Sequence, residues 1–402
     1  MACRKLQAIT KGVKMAWSIY ELHDAIIGID ARKKVGTKLH EYNCDRAVLL
    51  YDRIIGELGY VDELEQIIKA SGIEVFPYCV ANGEPTSSEM DRILDYFRSV
   101  KANGIVALGG GSTIDSAKIV GKVLANGGRT IDYLEGYATA FTKGTKRFSP
   151  IIGMPTTGGT GAEVCWGFMC DNEENGIKTF GVNPCTMAIV DPIYSLSVPP
   201  YITAFTGMDA LSQCAESLCN TYAIPNPLCD IFCKEGLAIA LKYLPVAVRE
   251  PNDLEAREKM LWAATLSGYV LNMRKTHLGH AVANQISDAY HLPHGVGTGC
   301  GLAVQARYNA LKSPEIIKVW APIFGVDCQD GADMKDVGEK VVKVIDDFQK
   351  EIGLHTLKGL GIPESFCDLA ADNIAKDKKW LVVPNPPDFD AVRTALHESW
   401  DY

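Results

Sequence analysis

Over the first half of the chain, short apolar runs alternate with amphipathic stretches. Arg46–Asp52 (RAVLLYD) is a continuous run of Val, Leu and Tyr of the kind that fills a buried strand. Gly56–Ser71 follows as a helical pattern stopped by Gly72. Glu74–Val80 (EVFPYCV) predicts a second strand, placed at a sheet edge because Pro77 has no N–H to give to a central ladder. Thr86–Asn103 predicts a helix with Thr86 as its cap and Met90, Ile93, Leu94 and Phe97 on one stripe. A strand at Gly104–Gly109, a helix at Ser112–Asn126 and a strand-like run at Ser149–Met154 continue the alternation. Strand–helix alternation of this kind makes a parallel sheet covered by helices.

Near Ser195 the pattern changes, with Pro199 and Pro200 at the joint. Beyond it the periodicity is helical, over Tyr201–Thr221, Pro227–Leu244, Leu254–Met273, Val296–Ala310, Met334–Glu351 and Asp388–Trp400. The expectation is an α/β domain over 1–195 and an all-helical domain over 196–402, with a ligand held between them. No internal repeat or low-complexity tract interrupts either half.

Composition narrows the partners. The 402 residues carry 40 Lys and Arg against 49 Asp and Glu, a net charge of −9, which argues against a nucleic-acid partner. No apolar stretch reaches the ~18 residues a membrane span needs, and Met1–Trp17 shows no secretory pattern. Thirteen scattered cysteines include no CxxC pair. They read as reduced thiols, and the expected location is the cytoplasm.

Three features carry chemistry. Gly109, Gly110, Gly111 and Ser112 follow a strand and open a helix, so a pyrophosphate can approach bare backbone amides at a helix N-terminus. The spacing is neither the common dinucleotide fingerprint nor a Walker loop, and a tight turn would explain it as well. A second loop, Pro155–Thr160 (PTTGGT), offers Thr156, Thr157 and Thr160 beside two glycines, a surface for a ribose, a phosphate or a nicotinamide, or simply a turn. Asp52, at the carboxyl end of its strand, would accept from ribose hydroxyls and repel a 2′-phosphate, or cap a helix.

The histidines are clustered: of eight, His277, His280, His291 and His294 fall within 18 positions. Neutral imidazoles suit zinc or iron, and Asp209, expected at a helix start, is the best carboxylate to join them. Gln213 shares its helix face, four residues on. His280 is expected near a helix end and His294 in the loop before the next helix. Polar side chains satisfied at a domain joint are the alternative.

Taken in order, these segments resemble the iron-containing (group III) alcohol dehydrogenase family across nearly the whole chain. The glycine loop through Lys118, the run Pro155–Val164, Gly207–Leu211, and His280 through Val296 match its motifs. The resemblance implies a fold shared with dehydroquinate synthase, a dinucleotide-binding domain and a helical domain. It implies NAD(H) or NADP(H) as cofactor, of which Asp52 favours NAD(H), and one divalent metal, Fe²⁺ or Zn²⁺, polarising a substrate oxygen. Asp209, His280 and His294 match family ligands; Gly109 to Ser112, Asp115, Thr156, Thr157 and Thr160 match cofactor loops; Lys178 resembles a cofactor-contacting lysine.

Two positions depart from the family. Gln213 stands where a fourth ligand, a histidine, is usual, and its carbonyl oxygen is a poorer donor. Asn284 stands where a titratable histidine often relays a proton, leaving His277 or His291 as substitutes. The implied activity is hydride transfer between NAD(H) and a small alcohol or aldehyde, by a homodimer or larger homo-oligomer. The alternatives are a metal-poor reductase resembling maleylacetate reductase, a lyase resembling dehydroquinate synthase and, from the two departures alone, a non-catalytic binding protein.

Overall fold

The computed structural model describes residues 22–220, 225–376 and 388–401. The first part alternates strands and helices: β1 (Asp24–Ile27), α1 (Val35–Glu41), β2 (Arg46–Tyr51), α2 (Arg53–Glu57), α3 (Tyr60–Ala70), β3 (Glu74–Cys79), α4 (Ser87–Ser99), β4 (Gly104–Gly109), α5 (Gly111–Asn126), α6 (Tyr137–Ala140) and β5 (Ile151–Pro155). A hairpin of β6 (Gly167–Asn172) and β7 (Ile177–Val182) precedes β8 (Met187–Val190). Helices follow: α7 (Pro200–Cys219), α8 (Pro227–Arg249), α9 (Leu254–Met273), α10 (Leu278–Tyr290), α11 (His294–Lys312), α12 (Pro314–Trp320), α13 (Met334–Glu351), α14 (Ser365–Lys376) and α15 (Phe389–Glu398).

The main sheet is parallel throughout, in the order β1-β8-β5-β4-β2-β3. β3 is an edge strand, as Pro77 requires. The unbroken apolar runs of β2 and β4 follow from burial on both faces. Val48, Leu50, Ile105 and Ala107 pack under Ile93, Phe97 and Val120 on one side. Ala47, Leu49, Val106 and Leu108 pack against Leu39, Leu64 and Ile68 on the other. Thr86 caps α4 through the Glu89 N–H, as expected. The helix expected at Gly56–Ser71 is split instead, because Gly59 adopts φ 79° between α2 and α3.

In the helical part, Met208, Leu211, Leu237, Leu266, Leu302 and Trp320 belong to one core. α8 runs five residues past the expected stop at Leu244, carrying Pro245 inside it. α10 is not among the helices expected from sequence, although Leu278, Val282 and Ile286 recur one turn apart along it and are buried. α10 and α11 cross so closely that a Cβ on Gly301 would lie 2.0 Å from the Gly279 carbonyl oxygen. Gly301→Ala is therefore expected to cost about 1–3 kcal/mol or more, since rigid backbone cannot yield as a side chain does. Denaturant unfolding of the two proteins measures it; equal stabilities would contradict this packing. Among the described residues no helix is long and apolar enough to cross a membrane.

Candidate active site

The chain runs from β2 to β3 in one direction across the sheet, then from β4 to β5 in the other. The carboxyl ends of β2, β4 and β5 thus meet where strand order reverses, the position at which open α/β sheets bind ligands. All three loops predicted from sequence converge there. The Thr156 N–H donates to the Gly109 carbonyl at 3.0 Å. A Cβ on Gly109 would lie 3.1 Å from Asp52 Oδ2, and one on Gly111 would lie 2.9 Å from the Thr160 side chain. Gly110 faces Thr157, whose Oγ1 would be 3.7 Å from an added Cβ. Only bare backbone leaves this junction open. Ser112 is exposed, and the N–H groups that begin the 16-residue α5 precede its first helical hydrogen bond, Ile114 N–H to Gly110 O. Beside them opens a hollow of about 320 Å³, whose lining includes Asn82, Glu84, Thr86, Ser112 and Ser116.

Asp52 proves to be both cap and candidate ligand. Its Oδ1 accepts the Ile55 N–H at 3.1 Å and caps α2, while Oδ2 lies over the glycine loop. Burial raises its pKa against the opposing backbone hydrogen bonds. Asp115, expected at the cofactor, is held within the fold. One of its oxygens lies 3.0 Å from Lys118 Nζ, and the other accepts the Met169 N–H at 3.0 Å. Lys118 also donates to the Gly167 carbonyl at 2.7 Å. Burial favours a neutral amine, but Asp115 outweighs it and the Lys118 pKa is raised. The pair staples α5 to β6, leaving both Asp115 oxygens occupied within the fold. Lys178, opposite Asp171 in the hairpin, pairs with Glu84 at 2.7 Å, and its charge reaches His294.

The threonine loop packs directly on the helical part: a Cβ on Gly159 would meet the Thr206 carbonyl of α7 at 2.7 Å. On that side, Asp209, His280 and His294 come together, with one ligand atom from each lying within 4.8 Å of the others. Asp209 is not at a helix start but ten residues into α7, and His294 is the first residue of α11 rather than part of the preceding loop. Asp209 Oδ1 lies 3.5 Å from His280 Nε2 and 3.9 Å from His294 Nε2. Donors bound to one zinc-sized ion at ~2.0–2.2 Å stand roughly 3–3.5 Å apart. The site is close to that separation.

Behind His280 is a carboxylate that the motif reading passed over. Glu216 is fully buried; its Oε1 meets His280 Nδ1 at 2.7 Å, and its Oε2 accepts the N–H groups of His277 and His280 at 2.7 and 3.0 Å. It therefore turns Nε2 of His280 toward Asp209 and caps α10 from a different helix. Burial works against a charged imidazole, but Glu216 and Asp209 outweigh it and push His280 up to about 10. Burial lowers the pKa of His294, keeping its ring neutral and able to donate a lone pair. Buried Asp209 Oδ1 has no hydrogen-bond partner, so a divalent cation answers both its lone pairs and the two carboxylates. One carboxylate with two imidazoles suits Fe²⁺ or Zn²⁺. A clue to Glu216 lay in its position, seven residues after Asp209 on the same helical face.

The other two sequence candidates stand apart from this triad. His277 does not join it: its Nδ1 is 2.7 Å from Gln305 Oε1, and burial lowers its pKa in a packed polar chain that continues to Asn309. His291 ends α10 in a left-handed conformation, exposed to solvent. Gln213, expected as the fourth ligand, is hydrogen-bonded from two sides. Its amide nitrogen donates to Asp209 Oδ2 at 3.1 Å and its oxygen accepts from Ser267 Oγ at 2.7 Å, so that oxygen is engaged away from the triad.

Residues 23–192 match the family model described as iron-containing alcohol dehydrogenase, and residues 203–400 match the model for the C-terminal part of that family. The chain belongs to the iron-containing alcohol dehydrogenase family. It is accordingly an enzyme, an alcohol oxidoreductase by family. It is similar to the NAD-dependent methanol dehydrogenase of Bacillus methanolicus, at 28% identity over 88% of this chain and 92% of that one. It is likewise similar to the 1,3-propanediol dehydrogenase of Klebsiella pneumoniae, at 30% identity over 87% and 90%. A solved alcohol dehydrogenase from Oenococcus oeni superimposes with a TM-score of 0.87 at 26% identity, covering 96% of this chain and all of that one. Iron-containing alcohol dehydrogenases thus supply the fold in which this chain carries Gln213 and Asn284.

Proposed function

We infer that this chain transfers hydride between NAD(H) and a small alcohol or aldehyde, at a divalent metal held by Asp209, His280 and His294. The carrying observation is the buried, unpartnered Asp209 Oδ1 facing two imidazole Nε2 atoms. When bound, the metal supplies Lewis acidity to the substrate oxygen and the nicotinamide supplies or takes the hydride. The chain's own residues do the rest. Glu216 holds His280 in one orientation, and Asp209 supplies negative charge to the ion. The N–H groups of Gly111 and Ser112, with the α5 dipole, bind phosphate oxygens. Thr156, Thr157 and Thr160 line the same junction and hold the cofactor's sugar and phosphate groups. Lys178, whose charge is felt at His294, contacts the cofactor in this reading. Asn284, one turn after His280, cannot titrate and so cannot take the substrate's hydroxyl proton.

Steady-state NADH consumption with an aldehyde panel, before and after chelation, tests this reading. Activity that survives complete metal removal would favour the metal-poor reductase. Asp52→Gly should cost only a few tenths of a kcal/mol of stability, since glycine is tolerated at a helix cap. It should nevertheless narrow the preference for NADH over NADPH roughly tenfold or more, because like charges ~4 Å apart near a protein surface repel by about 4 kcal/mol. Equal wild-type kcat/KM for the two cofactors would refute the role of Asp52.

The same reading includes a cytoplasmic homodimer or larger homo-oligomer. Every described cysteine is a free thiol, as a reducing compartment allows. Among the described residues β1 pairs only with β8, and its other edge lies near exposed Ile29. Light scattering coupled to gel filtration gives the assembly size, and a monomer would rule the oligomer out.

A further inference from the structure

The side chain at the family's fourth-ligand position is held from two directions. Gln213 is only 4% exposed and stands one turn after Asp209 on α7. Its Nε2 donates to Asp209 Oδ2 at 3.1 Å, and its Oε1 accepts from Ser267 Oγ on α9 at 2.7 Å. The chemistry fixes that orientation. A carboxylate oxygen only accepts, so the amide must turn its NH₂ to Asp209. Ser267 Oγ is also 2.8 Å from the Ala264 carbonyl of its own helix. That carbonyl has a helical partner one turn on, so the hydroxyl hydrogen is better placed on Gln213. The bond falls on Oδ2, whereas both imidazole Nε2 atoms approach Oδ1.

We propose that Gln213 is a positioning residue for the metal site and not one of its ligands: its amide ties Asp209 to Ser267 so that Oδ1 is presented to His280 and His294. The inference rests on the metal reading above. It makes the protein's contribution three ligands, with Gln213 acting through Asp209. A carboxylate anchored on one oxygen keeps the other where the ion needs it, and loss of such an anchor typically weakens metal binding by ~10–100-fold.

Metal-stripped wild type, Gln213→Leu, Ser267→Ala, Gln213→His and His280→Ala are titrated with Co²⁺, recording the dissociation constant and the visible spectrum per bound ion. Gln213→Leu should raise the dissociation constant about tenfold or more without changing the band positions or intensity, because no ligand is lost. Ser267→Ala touches no ligand and should shift affinity the same way, again with an unchanged spectrum. It carries the test if the leucine protein fails to fold. Gln213→His should alter the spectrum by adding a ligand. A changed spectrum in Gln213→Leu would make Gln213 a ligand and overturn the proposal, as would unchanged affinity in Gln213→Leu or Ser267→Ala. If wild type binds Co²⁺ no better than His280→Ala, the metal reading itself falls.

Discussion

His280→Ala is expected to lose both its metal and its turnover. In the proposed site His280 supplies one of the two imidazole donors, and its Nε2 is 3.5 Å from Asp209 Oδ1. Removing it leaves one imidazole and one carboxylate, a donor set that retains Fe²⁺ or Zn²⁺ poorly. It also leaves Asp209 and Glu216, both buried, without the imidazole between them. Lewis-acid polarisation is worth several kcal/mol of transition-state stabilisation, and each 1.36 kcal/mol is tenfold in rate. The expected fall in kcat is therefore about a thousandfold or more. Elemental analysis of the purified protein beside steady-state rates checks both halves. Unchanged metal content would remove His280 from the ligand set.

Glu216→Ala should be as damaging, by a different route. This carboxylate is fully buried behind His280. It holds the His280 ring and the first N–H groups of α10 at once, from a position 64 residues away. Burial opposes its ionisation, but His280 and the two backbone donors outweigh that and lower its pKa, so it is ionised. Truncation would strand a buried imidazole and two buried N–H groups. Breaking a buried charged pair on one side costs about 3–5 kcal/mol. Unfolding with a chelator present isolates that structural loss, while Co²⁺ affinity reports the loosened His280. Glu216→Gln keeps an acceptor for the helix N–H groups and should recover much of the stability, but less of the affinity, because a neutral amide orients an imidazole more weakly than a carboxylate. Stability within about 0.5 kcal/mol of wild type in Glu216→Ala would contradict the cap.

Some of this protein was determined by sequence alone. A parallel sheet followed by a helical half was legible because burial on both faces turns strands such as Arg46–Tyr51 into unbroken apolar runs, while helices keep a 3.6-residue period. Thr86, Pro77 and the glycine loop were legible because caps, edge strands and phosphate approaches each need a particular residue locally. Asp209, His280 and His294 stood out by type and clustering. Tertiary structure decided what each polar group is paired with. Asp115 reads as a cofactor contact in sequence, and only the fold brings the Met169 N–H of β6 to it across 54 residues. Gln213 reads as a weak ligand in sequence, and only the fold brings Ser267 of α9, also 54 residues away, to its amide oxygen. Glu216 shares a helical face with Asp209, but its partner became visible only when the start of α10 folded onto it. Periodicity records which face of an element avoids water. It carries no record of which distant donor satisfies a buried oxygen, and that pairing separates ligand, anchor and staple here.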